Sequence, residues 1–242
     1  MRIVEISTNA EHLSAAFYFG PSADGSKPGV FNVNCHNFQA RPMFEMMSLC
    51  LHEAEPGHHL QSSYSVLMDY LPGFRRFKDD RFYGIVPSRF PMHTGYIEGW
   101  GMYSEFLGEE MGLYDDPYTL FGRYCSEIFR ACRLVVDTGL HVYGWSFEKA
   151  VQFIEENTAM SREVIEIEVR RYLTLPGQGC AYTIGELKIR ELRKKCEDEF
   201  GDKFDLREFH DAVLSCGPVP LTVLEVLINK YINKTLEIPD RK

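Results

Sequence analysis

The 242-residue chain has no stretch of about 18 apolar residues, so no segment reads as a membrane span. It also lacks a basic tract: the longest is Arg193-Lys194-Lys195, with Glu197, Asp198 and Glu199 close behind. Thirty-five acidic against 26 basic residues leave a formal net charge of -9, which works against a sequence-independent grip on nucleic acid. Nucleic acid is therefore not an expected partner. The seven cysteines, at 35, 50, 125, 132, 180, 196 and 216, are an odd set with no C-x-x-C spacing. Reduced, mostly buried thiols are expected rather than a disulfide framework. The opening Met1-Arg2-Ile3-Val4-Glu5-Ile6 carries an acid and no long apolar run, so a secretory signal is not read and a cytoplasmic location is expected. Internal repeats, low-complexity tracts and Gly/Ser linkers are also missing, and a single domain over 1–242 is the simplest organisation.

What is present supports a sizeable core: 45% of residues are hydrophobic and 25% charged, an ordinary globular balance. The first forty residues differ from the rest. Arg2–Ser7 has a strand-like composition, Pro21 to Gly29 concentrates turn residues, and Val30–Asn34 alternates as a short strand does. From residue 41 onward the pattern is helical. Helices are predicted over 42–55, 59–70, 96–111, 118–143, 147–156, 160–173, 183–199, 206–214 and 219–234, with Ser146, Ser161 and Asp205 as N-caps and Gly112 as a C-cap. The expected fold is mostly α: a helical array over 41–242 with a small β element in 1–40. Within 118–143, Ile128, Cys132, Val135, Val136, Leu140 and Tyr143 form an apolar stripe. Arg130, Arg133, Asp137 and His141 form a polar row, which periodicity favours as a solvated face with an ordinary Arg133–Asp137 pair.

The chemically informative segment is Leu51-His52-Glu53-Ala54-Glu55-Pro56-Gly57-His58-His59-Leu60-Gln61. A zinc hydrolase needs three protein ligands and one open position for water, with a nearby glutamate to take the proton. The familiar arrangement, H-E-x-x-H, puts both histidines on one helical face. Here proline occupies the place of the second histidine, and the next histidine is His58. Positions i and i+6 lie far apart around a regular helix, and His52 and His59 would stand about 10 Å apart along the axis. A break at Pro56-Gly57 must therefore re-aim His58 toward His52. Otherwise these are ordinary histidines at a helix junction. The third ligand is expected from His93-Thr94-Gly95-Tyr96-Ile97-Glu98-Gly99-Trp100-Gly101-Met102-Tyr103-Ser104-Glu105. Glu98 sits beside glycine, where another backbone can approach, and Glu105 lies two turns on, suited to orienting a histidine. The plain alternatives are a favourable charge in a helix's first turn for Glu98 and a solvated position for Glu105.

These residues carry a resemblance. Glu98-Gly99-Trp100-Gly101-Met102-Tyr103 is similar to the glutamate-bearing helix of gluzincin metallopeptidases. The chain more closely resembles the family catalogued as domain of unknown function 885. Family hallmarks have counterparts in His52–Gln61, Glu98–Tyr103, Asp137–Ser146, Pro176–Gly185 and Phe209–Leu214, and Asp24 to Gly29 matches the turn before the family's front strand. Gly101 stands where the family usually has alanine, a change expected to be harmless. Family members are much longer, so this chain resembles their C-terminal half, and an N-terminal helical half or a homo-oligomer partner is expected to complete it.

The resemblance implies a zincin-like, oligopeptidase-like helical array and a zinc-dependent peptidase acting on short peptides. His52, His58 and Glu98 would hold Zn2+, Glu53 would be general base and then acid, and Tyr182 or His141 would stabilise the oxyanion. His59, Glu105, Arg133, Asp137 and Arg190 would support the site or bind substrate, Arg133 or Arg190 through a carboxylate if chain ends are trimmed. The edge of Val30–Asn34 is expected to receive an extended peptide. The rival expectation is a non-catalytic pseudopeptidase that keeps the fold and binds partners. A cysteine nucleophile has no supporting local signature.

Overall fold

The structure, a computed structural model, describes residues 1–6, 16–36, 42–77 and 93–237. Strands β1 (Arg2–Glu5), β2 (Ala16–Phe19) and β3 (Val30–Val33) form a three-stranded sheet in the order β1-β3-β2. β1 runs parallel and β2 antiparallel to β3, with Phe31 opposite both Ile3 and Tyr18. The strand expected to offer its edge is thus the central one, and both of its edges are already paired. β2 was not anticipated, because Ala-Phe-Tyr-Phe is apolar at nearly every position and shows no alternation. Ser7, the end of the predicted first strand, lies outside the described residues. Ala16, Tyr18 and Phe31 are buried against Leu49 and Ala54, which seats the sheet on the first helix.

A 3-10 turn (Met43–Glu45) leads into α1 (Met46–Glu53), followed by α2 (His58–Leu67) and the single turn α3 (Gly73–Arg76). The long elements are α4 (Thr94–Glu110), α5 (Pro117–His141), α6 (Phe147–Asn157), α7 (Arg162–Thr174) and α8 (Gln178–Phe200). A second 3-10 turn (Gly201–Lys203), α9 (Leu206–Leu214) and α10 (Leu221–Glu237) complete the chain as described. Local chemistry accounts for the boundaries. The Asp116 carboxylate accepts from the Tyr118 and Thr119 N–H groups ahead of α5, and Ser146 and Asp205 cap α6 and α9 in the same way. Ser161 makes no side-chain cap bond. Gly112 takes φ +69° just past α4, as a C-cap glycine does. α8 starts five residues before the predicted 183, because Gly177 at φ +81° turns the chain directly into the helix at Gln178.

Two apolar cores hold the helices. Tyr96, Trp100, Tyr103, Ile189, Phe209, Leu224 and Ile228 join α4, α8, α9 and α10, while Val136, Ile154, Ile165 and Val169 join α5, α6 and α7. α4 and α8 touch backbone to backbone. A Cβ on Gly99 would lie 2.5 Å from Gly185 Cα, and one on Gly185 would lie 1.9 Å from the Gly95 carbonyl oxygen. That contact sets Glu98 beside the first turns of α8.

α5 reverses its expected polarity. Ile128, Val135 and Tyr143 face solvent, while Cys132 and Val136 are buried as expected. Arg133 and Asp137 are buried instead of solvated, and the expected pair between them is replaced by longer-range partners. Arg133 Nη2 donates to Glu168 at 2.9 Å, and Asp137 accepts the Gly177 N–H at 2.9 Å. Both partners lie on elements packed against the inner face of α5, a fact that periodicity within one helix does not encode.

Candidate metal centre

α1 ends at Glu53, and residues 54–57 turn through a cis Glu55–Pro56 bond before α2 restarts at His58. Gly57 is needed there, since a Cβ would stand 1.9 Å from the His52 carbonyl oxygen. The Trp100 indole N–H donates to the Pro56 carbonyl at 2.8 Å, tying the turn to α4. The break brings the two imidazoles edge to face, with ring centroids 4.7 Å apart. Glu98 Oε2 lies 3.4 Å from His52 Nε2 and 3.4 Å from His58 Nε2. One donor atom from each of His52, His58 and Glu98 falls within 4.8 Å of the others. Tetrahedral zinc with bonds near 2.0–2.2 Å separates its ligands by roughly 3.3–3.6 Å, so the two 3.4 Å carboxylate–imidazole distances already suit one ion.

Surrounding groups fix each member. His52 Nδ1 lies 2.8 Å from Glu105 Oε1, which leaves Nε2 for Glu98 and His58. Ser126 donates to Glu105 Oε2 at 2.5 Å, and Arg130 donates to Ser126 at 2.7 Å. Gln178 Nε2 reaches Glu98 Oε1 at 3.3 Å and the Tyr182 hydroxyl at 2.9 Å, while Arg171 Nη1 holds the Gln178 amide oxygen at 3.0 Å. The amide is thereby oriented with its N–H groups toward the site, and the Tyr182 hydroxyl, accepting from Gln178, keeps its own proton to donate. Tyr182 stacks beside His52, with ring centroids 6.1 Å apart, and the Arg133 guanidinium lies 4.6 Å from its ring centre.

Electrostatics follow from this packing. Burial disfavours charge on His52, but hydrogen bonds to Glu105 and Glu98 overcome it and push the pKa up to about 9. Burial likewise opposes ionisation of Glu98, yet the two histidines hold it well below the usual carboxylate range. Glu105 is also lowered against its burial, through Arg130 and His52. Tyr182 is raised by burial and by Glu98, so it stays a neutral donor. Among the buried side-chain atoms without a hydrogen-bond partner in the described residues are Glu53 Oε2 and His58 Nδ1. Buried polar atoms are rarely left unpaired, and an unpartnered glutamate oxygen beside a three-donor cluster suits a water held there.

The remaining residues singled out from sequence fall elsewhere. His59 Nδ1 lies 2.8 Å from the Tyr18 hydroxyl and joins β2 to α2. His141 Nε2 approaches the Tyr172 carbonyl at 3.0 Å, and it sits about 16 Å along α5 from Arg130, so the structure does not bring it to the cluster. Arg190 pairs with Glu186 at 3.2 Å and lies over Phe106, also apart from it. Asp137 acts at one remove, by holding the Gly177 turn ahead of Gln178. Sequence reasoning missed Gln178, Ser126, Arg130 and Arg171 as site residues; only Gln178 carried a signal, its place in the Pro176–Gly185 motif. A Cβ on Gly101 would lie 2.6 Å from the His52 ring, which occupies the room glycine leaves.

Comparison with known proteins adds family and fold. A family model described as "Bacterial protein of unknown function (DUF885)" matches residues 1–228. No curated protein matches the chain. A crystal structure of a "putative lipoprotein" from Colwellia psychrerythraea is similar at 38% identity and TM-score 0.87, over 97% of this chain and 38% of that one. A second, from Shewanella oneidensis and described in the same words and as of unknown function, aligns at 23% identity and TM-score 0.72, over 94% and 40% respectively. The chain thus spans about two fifths of the length of these solved proteins. No helix among the described residues is long and apolar enough to cross a membrane.

Proposed function

Since the chain belongs to the DUF885 family, whose description assigns no chemistry, function must be read from the site, and we propose a zinc-dependent hydrolase of peptide bonds with a zincin-like arrangement. The observation that carries this reading is the convergence of His52, His58 and Glu98 donor atoms within 4.8 Å, beside the unpartnered Glu53 Oε2. The donor set of two imidazoles and one carboxylate is that of a catalytic site, which keeps a position open. A zinc ion there supplies Lewis acidity and makes water a nucleophile near neutral pH. His52, oriented by Glu105, His58, and Glu98, oriented by Gln178, would hold the ion. Glu53 takes the proton of the attacking water at its free oxygen and delivers it to the leaving amine. Tyr182, neutral and with its proton left free by Gln178, donates to the oxyanion and displaces His141 from that role. An extended peptide adds to the outer edge of β2, not to β3, and Tyr18 links that strand to His59 beside the cluster.

Glu53→Gln keeps the shape and loses the base. The expected outcome is one equivalent of zinc by elemental analysis, with chelator-sensitive cleavage of a mixed peptide library lost. Cleavage by zinc-loaded Glu53→Gln overturns the mechanism. A wild-type protein that binds zinc and cleaves nothing favours a non-catalytic relative of such enzymes.

A further inference from the structure

α5 is built inside out. Its charged residues Arg123, Arg133 and Asp137 are buried, and Arg130 nearly so, facing the cluster and the helices around it. Its outer face carries Phe121 at 50% exposure, Tyr124 at 46%, Ile128 at 45%, Val135 at 40% and, at the C-cap, Val142 at 71%. The spacing is not random. Phe121, Ile128, Val135 and Val142 recur every seven residues, and Tyr124, Ala131 and Thr138 follow the first three at an offset of three. This is the a/d pattern by which one helix seats another along a seam at a shallow crossing angle. Among the acidic, basic and histidine side chains between 118 and 142, only Glu127 and His141 add to the buried set, so the seam is nearly free of charge. Exposed apolar surface in a continuous strip marks a contact for another polypeptide.

We propose that this seam is the docking face for a helix supplied by the region that makes up the remaining length of the longer relatives. The Colwellia psychrerythraea protein shares 97% of this chain's length at TM-score 0.87, yet the shared part is only 38% of that protein. The other three fifths of that chain needs a surface to pack on, and the seam is apolar, helical in period and, past the edge contact of Phe44 with Phe121, open among the described residues. The alternation of large residues toward Phe121 and small ones toward Thr138 gives the occupant a direction: its own bulk lies opposite the C-terminal half of α5. Docking there also braces Arg130 and Arg133 from behind, on the side of α5 opposite the cluster.

The test co-expresses this chain with the non-matching region of the Colwellia psychrerythraea protein as a separate polypeptide. A one-to-one complex is expected, weakened roughly 30-fold or more by the Ile128→Glu/Val135→Glu pair and unaffected by Leu67→Glu, an exposed apolar site on α2. A complex that survives the double substitution, or two polypeptides that purify apart, overturns the proposal. A homodimer of this chain abolished by the same pair assigns the seam to a second copy and overturns the occupant named. Where the separate region does not fold, a chimera carrying this chain in place of the matched part supplies the readout. Amide exchange in α5 should then slow relative to the chain by itself, and unchanged exchange overturns the docking.

Discussion

Glu105 governs the state of His52. Its 2.8 Å contact on Nδ1 fixes the tautomer and sends Nε2 to the cluster, and Ser126 and Arg130 keep the carboxylate in place. Groups that orient a metal-binding histidine typically contribute 10–100-fold in affinity. Glu105→Gln, which keeps the shape and removes the charge, is expected to weaken zinc binding by about that factor in a chelator competition. Wild-type affinity in that variant removes Glu105 from the site. Gln178→Ala frees Glu98 Oε1 and the Tyr182 hydroxyl together, so it should lower both zinc affinity and kcat, whereas Tyr182→Phe should lower kcat alone. At this scale the sequence was informative where the partners are near in it. His52, Glu53 and His58 stand in one short segment, and the glycines around Glu98 marked a close approach. Gln178 reaches Glu98 across 80 positions and Ser126 reaches Glu105 across 21, and no local pattern encodes such pairings.

The element that makes the site is the break between α1 and α2. Pro56 cannot continue α1, Gly57 clears the His52 carbonyl, and Trp100 on α4 grips the turn through its indole N–H. Gly57→Ala must move backbone, which in a packed turn costs about 1–3 kcal/mol. The movement also pulls His58 away from His52. A lower Tm together with lost zinc uptake is the expected pair of results, and a variant that melts normally and binds zinc normally shows that the break tolerates a side chain. Gly99→Ala at the α4–α8 contact should resemble it, since Glu98 is carried by that crossing. The break was legible because proline and glycine state their constraints locally. The polarity of α5 was not: its buried arginines and aspartate are satisfied by Glu168 and Gly177 on other elements, and its outer stripe is as apolar as a core face. β3 misled for a related reason. A strand's own residues do not say how many neighbours it has, and two four-residue strands took both of its edges.

Across the whole molecule, the charge states set a pH dependence that differs with and without the ion. In the metal-free protein His52 keeps its proton up to about 9, whereas in the unfolded chain it releases it near 6.5. Its contribution is therefore full below 6.5 and is lost as pH rises toward 9, at no more than about 1.4 kcal/mol per pH unit. Two other buried groups largely offset each other on the acid side. His210, pushed down to about 4 by burial and by Arg193, favours folding less as pH falls below 6.5. Glu186, pushed up to about 7 by burial, favours it less as pH rises above 4.5. His59 and His93, also lowered by burial, add to His210, so the metal-free protein should lose some stability below 6.5 and weaken above it as His52 loses its proton. Zinc must displace the His52 proton, so its apparent affinity rises about tenfold per pH unit over the same alkaline span, and binding to the folded state alone adds stability in step. The rise in Tm on adding zinc should grow from pH 6.5 to 8.5, as the metal-free curve falls and the loaded one does not. In Glu105→Gln, where the imidazole no longer has its charged partner, that growth should flatten. A zinc-induced shift of the same size at every pH in this range would mean that His52 gives up no proton to the metal, and the three-residue centre would have to be redrawn without it.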